Sequence, residues 1–236
     1  MEVMKYIPSK SVDCIITDLP YGTTQSRWDI IIPFHLMWER VNHIIKDNGA
    51  ILLFSSQPFT SELIMSNREM FKYEWIWKKT HPKGHLNAKI MPLRAHENIE
   101  VFYKKTPVYH PQMTHGHKRK VARTIYIRES DGNSCYGREM RNSFYDSTDR
   151  YPLDVQEFSN ACQLNKIHNT QKPVEIYEYL MKTYTDVGDV VLDFTAGSMT
   201  CAIAAINTGR NYICIEKDRK IFDLGSKRVS DYTNTS

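Results

Sequence analysis

The chain contains no run of about 18 apolar residues, the length that crosses a bilayer as a helix, and its first residues, MEVMKYIPSK, are too polar for a signal peptide. A soluble cytoplasmic protein without membrane contact is expected. Its five cysteines, Cys14, Cys135, Cys162, Cys201 and Cys214, show no CxxC or ligand-like spacing, and two fall in predicted strands, so they read as reduced buried thiols. Neither phosphate template occurs: there is no GxxxxGK(S/T) and no intact GxGxxG, which disfavours NAD or a nucleoside triphosphate as ligand. Internal repeats and low-complexity tracts are absent as well.

What is present suits one α/β domain with a sizeable insertion: 236 residues with enough apolar side chains for a substantial core. Net charge is only +4, yet residues 68–128 hold fourteen Lys/Arg against four Asp/Glu, a local excess of ten that leaves the remainder acidic. Six of the nine histidines share that stretch with Tyr73, Trp75 and Trp77. Basic and aromatic side chains mixed in this way are expected where phosphates and bases are met, although a solvated basic face has the same composition.

Short Ile/Val-rich runs alternate with helical patterns. VDCIIT reads as a strand, FHLMWERVNHIIKD as a helix stopped by Asn48-Gly49, AILLFS as a strand and SELIMSN as part of a helix after Pro58. This is βαβ order, whose usual result is a buried parallel sheet. YEWIWKK and ENIEVFYKK read as two further strands joined by a basic connection. From about Thr106 to Asn169 the periodicity collapses, and the segment reads as a separate insertion. Order returns with the helix PVEIYEYLMKTYT, the strand DVVLDF, the loop TAGSM, the helix TCAIAAINTG, the strand NYICIEKD and a last helix over roughly 219–231.

In open α/β sheets ligands bind beyond the carboxyl ends of strands, which singles out two loops, DLPYG at 18–22 and DFTAGS at 193–198. The second is built of small residues and opens a helix, so backbone approaches closely and helix N–H groups face a polar ligand. About 17 residues later the strand YICIE ends in Glu216, a carboxylate suited to ribose hydroxyls. A nucleoside-like cofactor without phosphates fits this pattern.

DLPY resembles the (D/N/S)PP(Y/F/W) motif of amino-group DNA methyltransferases, and LDFTAGSMT resembles their FxGxG cofactor loop. HNTQKPVEIYEYLMKTYT resembles the segment that precedes that loop, and RAHENIEVFYKK the one that follows the catalytic half. Four ordered matches are far more specific than any one, and they cover nearly the whole chain outside 106–165. Their order, catalytic motif first and cofactor loop last, is similar to the circularly permuted β subgroup of bacteria and their phages.

The resemblance implies a Rossmann-like S-adenosylmethionine-dependent methyltransferase sheet with helices on both faces. Its catalytic half would be 1–105, its target-recognition insertion 106–165 and its cofactor half 166–236. It implies methyl transfer to the N6 amino group of a flipped adenine in double-stranded DNA, with cytosine N4 or a DNA-binding relic as alternatives. Asp18 and the carbonyl of Leu19 or Pro20 would accept the amino protons, and Tyr21, an exposed ring, would stack on the extruded base. Asp193, Phe194, Thr195, Ala196, Gly197, Ser198 and Thr200 would line the cofactor, Glu216 would hold its ribose, and Thr170, Gln171 and Lys172 would approach its methionine end. Lys118, Arg119, Lys120, Arg123 and Arg128 would contact phosphates. No ligand cluster calls for a metal. Cytosine carbon-5 transfer needs a cysteine nucleophile, usually in a Pro-Cys pair, and no proline here precedes a cysteine, which disfavours that route. A homodimer and a cognate restriction endonuclease are the protein partners the resemblance allows.

Three departures carry expectations. Leu19 replaces the first proline with modest effect. Met199 stands where the family commonly has glycine and is expected to crowd the loop or resist φ > 0. The chain begins inside the segment that normally follows an N-terminal edge strand, so the sheet is expected to be one strand short.

Overall fold

The computed structural model describes residues 2–24, 26, 29–124, 143–160 and 171–235. Thr170, Arg128, Cys135 and Cys162 lie outside the described residues. In chain order the elements are β1 (Val12–Asp18), α1 (Phe34–Ile44), β2 (Ile45–Ser55), α2 (Phe59–Ser66), β3 (Phe71–Lys83), β4 (Arg94–Phe102), β5 (Lys120–Thr124), β6 (Ser143–Ser147), β7 (Val155–Phe158), α3 (Val174–Tyr184), β8 (Val190–Asp193), α4 (Thr200–Thr208), β9 (Asn211–Cys214) and α5 (Arg219–Thr235).

The apolar runs become the middle of a seven-stranded sheet in the order β7-β3-β4-β2-β1-β8-β9. Neighbours pair in parallel except at β4, which runs against both β2 and β3. Side chains of alternate residues leave opposite faces of a strand, and both faces are covered. On one face Cys14, Ile16, Leu52 and Phe54 pack against α3 through Ile176, Tyr177, Leu180 and Met181 and against α4 through Cys201 and Ala204. On the other, Ile15, Ile51 and Leu53 meet α1 through Met37, Trp38, Val41 and Ile44, and α2 through Phe59 and Leu63. Helices on both faces of a mostly parallel sheet are the expected architecture.

Two expectations are corrected. Helix α1 ends at Ile44, short of Asn48-Gly49, because its last carbonyls accept from the chain entering β1: Lys10 N to His43 O at 3.1 Å and Ser11 N to Ile44 O at 3.0 Å. Ile45 then pairs with Val12 while Ala50 pairs with Cys14, so 46–49 form a bulge within β2. A Cβ on Gly49 would lie 2.8 Å from Asp13 O, which explains the glycine. Secondly, the sheet is not one strand short. Its seventh strand is β7, from the segment read as insertion, held on β3 by Ile76 N to Asp154 O (2.8 Å) and Trp77 Nε1 to Phe158 O (3.0 Å). β7 forms one edge of the sheet and β9 the other among the described residues.

The chain divides into two compact units, Met1–His110 with Leu153–Ser236, and Pro111–Pro152. Within the second, β5 and β6 form an antiparallel hairpin, fastened by a bidentate pair from Arg119 to Asp146 (2.7 and 2.6 Å). Arg150 donates to Ser147 O at 3.1 Å and to Asp149 O at 2.6 Å, closing the hairpin's base.

Candidate active site

β1 and β8 are parallel neighbours, with Cys14 opposite Val191 and Ile15 opposite Leu192, so DLPYG and DFTAGS leave the sheet side by side. Threonines join the two loops. Thr17 Oγ1 donates to Asp193 Oδ1 at 2.6 Å and lies 2.7 Å from Thr195 Oγ1, which donates to Asp18 O at 2.9 Å. Burial pushes the Asp193 carboxyl up to about 7; the bonds from Thr17 and the Thr195 N–H oppose this, and Asp18 and Glu216 add to it.

Asp18 is half-buried at the end of β1, and both its oxygens have partners. Tyr21 donates its hydroxyl to Oδ1 at 2.8 Å, and Lys172 its ammonium to Oδ2 at 2.6 Å. The expected exposed ring is therefore corrected: Tyr21 is half-buried, with its ring centroid 5.4 Å from that of Phe59, because its hydroxyl turns to the carboxylate three residues back. Leu19, in the place of the first proline, is buried in the core beside Phe59 and Leu63.

Lys172 precedes α3 and is buried with its ammonium over the Phe54 ring, 5.2 Å from the centroid. It also reaches Glu97 Oε2 on β4 at 3.1 Å, and Glu97 Oε1 takes a short bond from Lys79 on β3. Burial pushes Asp18 up, Lys172 pulls it down and Glu97 pushes it up, leaving it above the usual carboxylate range. Glu97 is held below that range, because the Lys172 and Lys79 ammoniums outweigh its burial. The same two carboxylates keep Lys172 firmly protonated against its own burial.

The second loop is anchored at both ends. Ala196 N donates to Ile215 O (2.9 Å), and Gly197 N donates to Glu216 Oε2 (2.9 Å), whose other oxygen accepts from Asp218 N (2.8 Å). Ser198 O accepts from Arg228 of α5 at 2.7 Å, and Thr200 Oγ1 donates to Lys172 O at 3.3 Å, tying the Lys172 segment to the loop. Gln171 is half-buried beside it, and Phe194 packs into the core cluster below. Met199 adopts φ 60°, and its side chain packs with Ala196, Ala202, Phe222 and Val229 over Gly225. The expected crowding is relieved because α5 offers a glycine where any Cβ would meet Met199 Cγ at 2.6 Å.

The structure thus brings Asp18, Leu19, Pro20 and Tyr21 beside Lys172 and residues 193–200, with Glu216 at the loop's far end. Lys118, Arg119, Lys120 and Arg123 are exposed in the second compact unit. Sequence reading missed Thr17, Glu97 and Lys79. Glu97 lies in the polar first half of β4, RAHEN, and Lys79 follows WIWK, so both read as solvated charges in line; only pairing across β3 and β4 brings them together.

Residues 12–227 match the N6_N4_Mtase family, described as DNA methylase. The chain belongs to this family. The DNA methylase is similar to type II methyltransferase M.HpaI of Haemophilus parainfluenzae, 27% identical over 250 residues that span 99% of this chain and 73% of the relative. It is also similar to DNA adenine methyltransferase YhdJ of Escherichia coli (strain K12), 24% identical over 245 residues, 96% of this chain and 79% of YhdJ. Among solved structures, the M1.HpyAVI-SAM complex aligns with TM-score 0.62 and 23% identity, over 96% of this chain and 94% of that one. PvuII DNA methyltransferase, described as cytosine-N4-specific, aligns with TM-score 0.66 and 14% identity, over 99% and 88%. These likenesses agree with the fold of this DNA methylase.

Proposed function

We propose that this chain transfers a methyl group from S-adenosylmethionine to the N6 amino group of an adenine extruded from double-stranded DNA. The observation that carries the reading is Asp18, a half-buried carboxylate at a strand end, fastened through Thr195 to a small-residue loop that leads into α4. The adenine methyltransferase among the relatives favours N6, while the PvuII neighbour favours cytosine N4 as the second reading. The order of the elements, with β1 and its loop before β8 and its loop and Pro111–Pro152 between them, supports the permuted β subgroup.

The donor set fits the cofactor. Each Glu216 oxygen accepts one N–H, and an ionised carboxylate has about four acceptor positions, so positions remain for vicinal hydroxyls. Met199, the residue placed to obstruct the loop, is instead turned into the packing under α5. When bound, S-adenosylmethionine supplies the methyl group on a cationic sulfur.

The chain's own contribution is to make a poor nucleophile react. The lone pair of an exocyclic amine is delocalised into its ring; Asp18 and the Leu19 or Pro20 carbonyl, accepting its two N–H bonds, favour the pyramidal form and stabilise the growing positive charge. Tyr21 stacks on the extruded base, and stacking with edge hydrogen bonds offsets the few kcal/mol of unpairing. Lys172 must first leave Asp18 Oδ2. Lys118, Arg119, Lys120, Arg123 and Arg128 meet phosphates; a companion endonuclease, which the type II naming of a relative suggests, and a homodimer are the assemblies to look for.

The deciding experiment incubates the purified protein with unmethylated DNA and labelled S-adenosylmethionine, followed by nucleoside analysis beside an Asp18→Ala control. Labelled N6-methyladenine that is lost in the control is expected. N4-methylcytosine would change the target base only, and no product without cofactor binding would leave a DNA-binding relic.

A further inference from the structure

Glu97 takes no part in the transfer as described, yet its side chain, only 15% exposed, is spent entirely on two ammonium groups. From β3 to β1 the charges alternate: Lys79, Glu97, Lys172, Asp18. Lys172 alone would neutralise Asp18. A closed pair of that kind has a defect, because an amino group arriving at Asp18 must displace an ammonium that would then stand buried without a counter-ion. Glu97 removes the defect, since its carboxylate is already 3.1 Å from the Lys172 nitrogen, on the side away from Asp18 Oδ2 in the sequence of charges. Lys79 in turn compensates Glu97, so nothing in the row is stranded when Lys172 moves.

We propose that Glu97 is a positioning residue for Lys172, holding the ammonium when the target amino group displaces it from Asp18 and so releasing Asp18 as an ionised acceptor. The proposal rests on the methyltransferase reading. Asp18 is faced by Tyr21 from its own loop, Lys172 from the segment before α3, Glu97 from β4, Tyr177 from α3 and Asp193 from β8. Of these, Lys172 lowers its pKa and Glu97 raises it. Removing Glu97's charge therefore moves the acidic limb of kcat to lower pH, and removing Lys172's charge moves it higher. The limb shifts report the two charges beside Asp18; that Glu97 acts through Lys172 is read from the loss of its effect on kcat when Lys172 is replaced.

The test compares wild type, Glu97→Gln, Lys172→Met and the double variant in the labelled-methyl assay across pH, with KM for DNA and cofactor measured separately. Glu97→Gln is expected to lower kcat by about tenfold with both KM values within about twofold, and to shift the acidic limb downward. In the Lys172→Met background the same substitution is expected to change kcat by less than about twofold. Equal losses in both backgrounds, or an unmoved limb, would overturn the proposal. Should Glu97→Gln not fold, Glu97→Asp serves: it retains the charge with a shorter reach, so kcat falls while the limb stays, and a wild-type kcat overturns the proposal. A wild type that methylates no base defeats the methyltransferase reading and this proposal with it; an active wild type matched by Glu97→Gln defeats only the proposal.

Discussion

Met199 holds φ 60°, in the left-handed region where a side chain costs about 1–2 kcal/mol. The strain is tolerated because the side chain, 4% exposed, fills the space over Gly225, where an added Cβ would lie 2.6 Å from Met199 Cγ and 3.0 Å from Gly197 O. Gly225→Ala is expected to destabilise the fold by about 1–3 kcal/mol in urea titrations. Adding Met199→Gly should recover part of that loss, since the Cγ contact disappears while the carbonyl contact stays. Strictly additive effects would show that the two residues do not share the space. At the same scale, Asp18→Asn is expected to slow transfer by about 100- to 1,000-fold and to leave cofactor affinity, read by calorimetry, almost unchanged. An equal loss of cofactor binding would mean that Asp18 acts through the loop that Thr195 ties to it.

Among the elements, β4 is the one whose direction differs, and it carries a second buried acid. Glu100 is fully buried; its Oε1 accepts from Ser55 at 3.0 Å, Ser55 accepts from Thr60 at 2.8 Å, and Glu100 Oε2 has no hydrogen-bond partner among the described residues. Burial pushes the carboxyl from 4.5 up to about 7, against the Ser55 bond and with the help of Glu74. A raised native pKa means that the folded state holds the proton more tightly, so this stabilisation is complete below about pH 4.5 and is lost as pH rises through about 7. Glu100→Gln, neutral throughout, is therefore expected to match wild type below about pH 4.5 and to gain on it progressively as pH rises, reaching about 1–3 kcal/mol at and above about pH 7. A difference independent of pH, in denaturant titrations at pH 4 to 8, would assign the effect to packing instead. Local pattern made most elements legible, because burial on a helix or strand imposes a period of 3.6 or 2. It failed at 45–49 and 155–158, where pairing with β1 and β3 overrides propensity: a helical-looking tail becomes a bulged strand, and VQEF, with no apolar run, becomes an edge strand.

At the scale of the whole molecule, the basic excess of residues 68–128 reaches into the compact unit Pro111–Pro152. Its cations have different local roles. Arg119 is committed to Asp146 across the hairpin, whereas Lys118, Lys120 and Arg123 are exposed around it. The combined Lys118→Ala, Lys120→Ala and Arg123→Ala variant is expected to weaken binding to all DNA sequences alike and to flatten the plot of log affinity against log salt by about 0.9 per lost phosphate contact. Arg119→Ala should flatten it less. A slope unchanged in the triple variant would move the phosphate-contacting surface elsewhere on the protein.

By itself the sequence determined the alternation of strands and helices, the placing of DLPYG and DFTAGS at strand ends and the order of the two halves, because these follow from local periodicity and from short motifs read in line. Only the tertiary structure decided which groups meet. Thr17 and Asp193 lie 176 residues apart in sequence, and Lys172 and Asp18 154 apart, yet parallel pairing of β1 with β8 and the packing of α3 put them in hydrogen-bond contact. The same holds for Glu97 with Lys79 and for Met199 with Gly225. Each pair is set by register or by the docking of one element on another, and a burial pattern along a single segment records that a side chain is inside without recording what it faces.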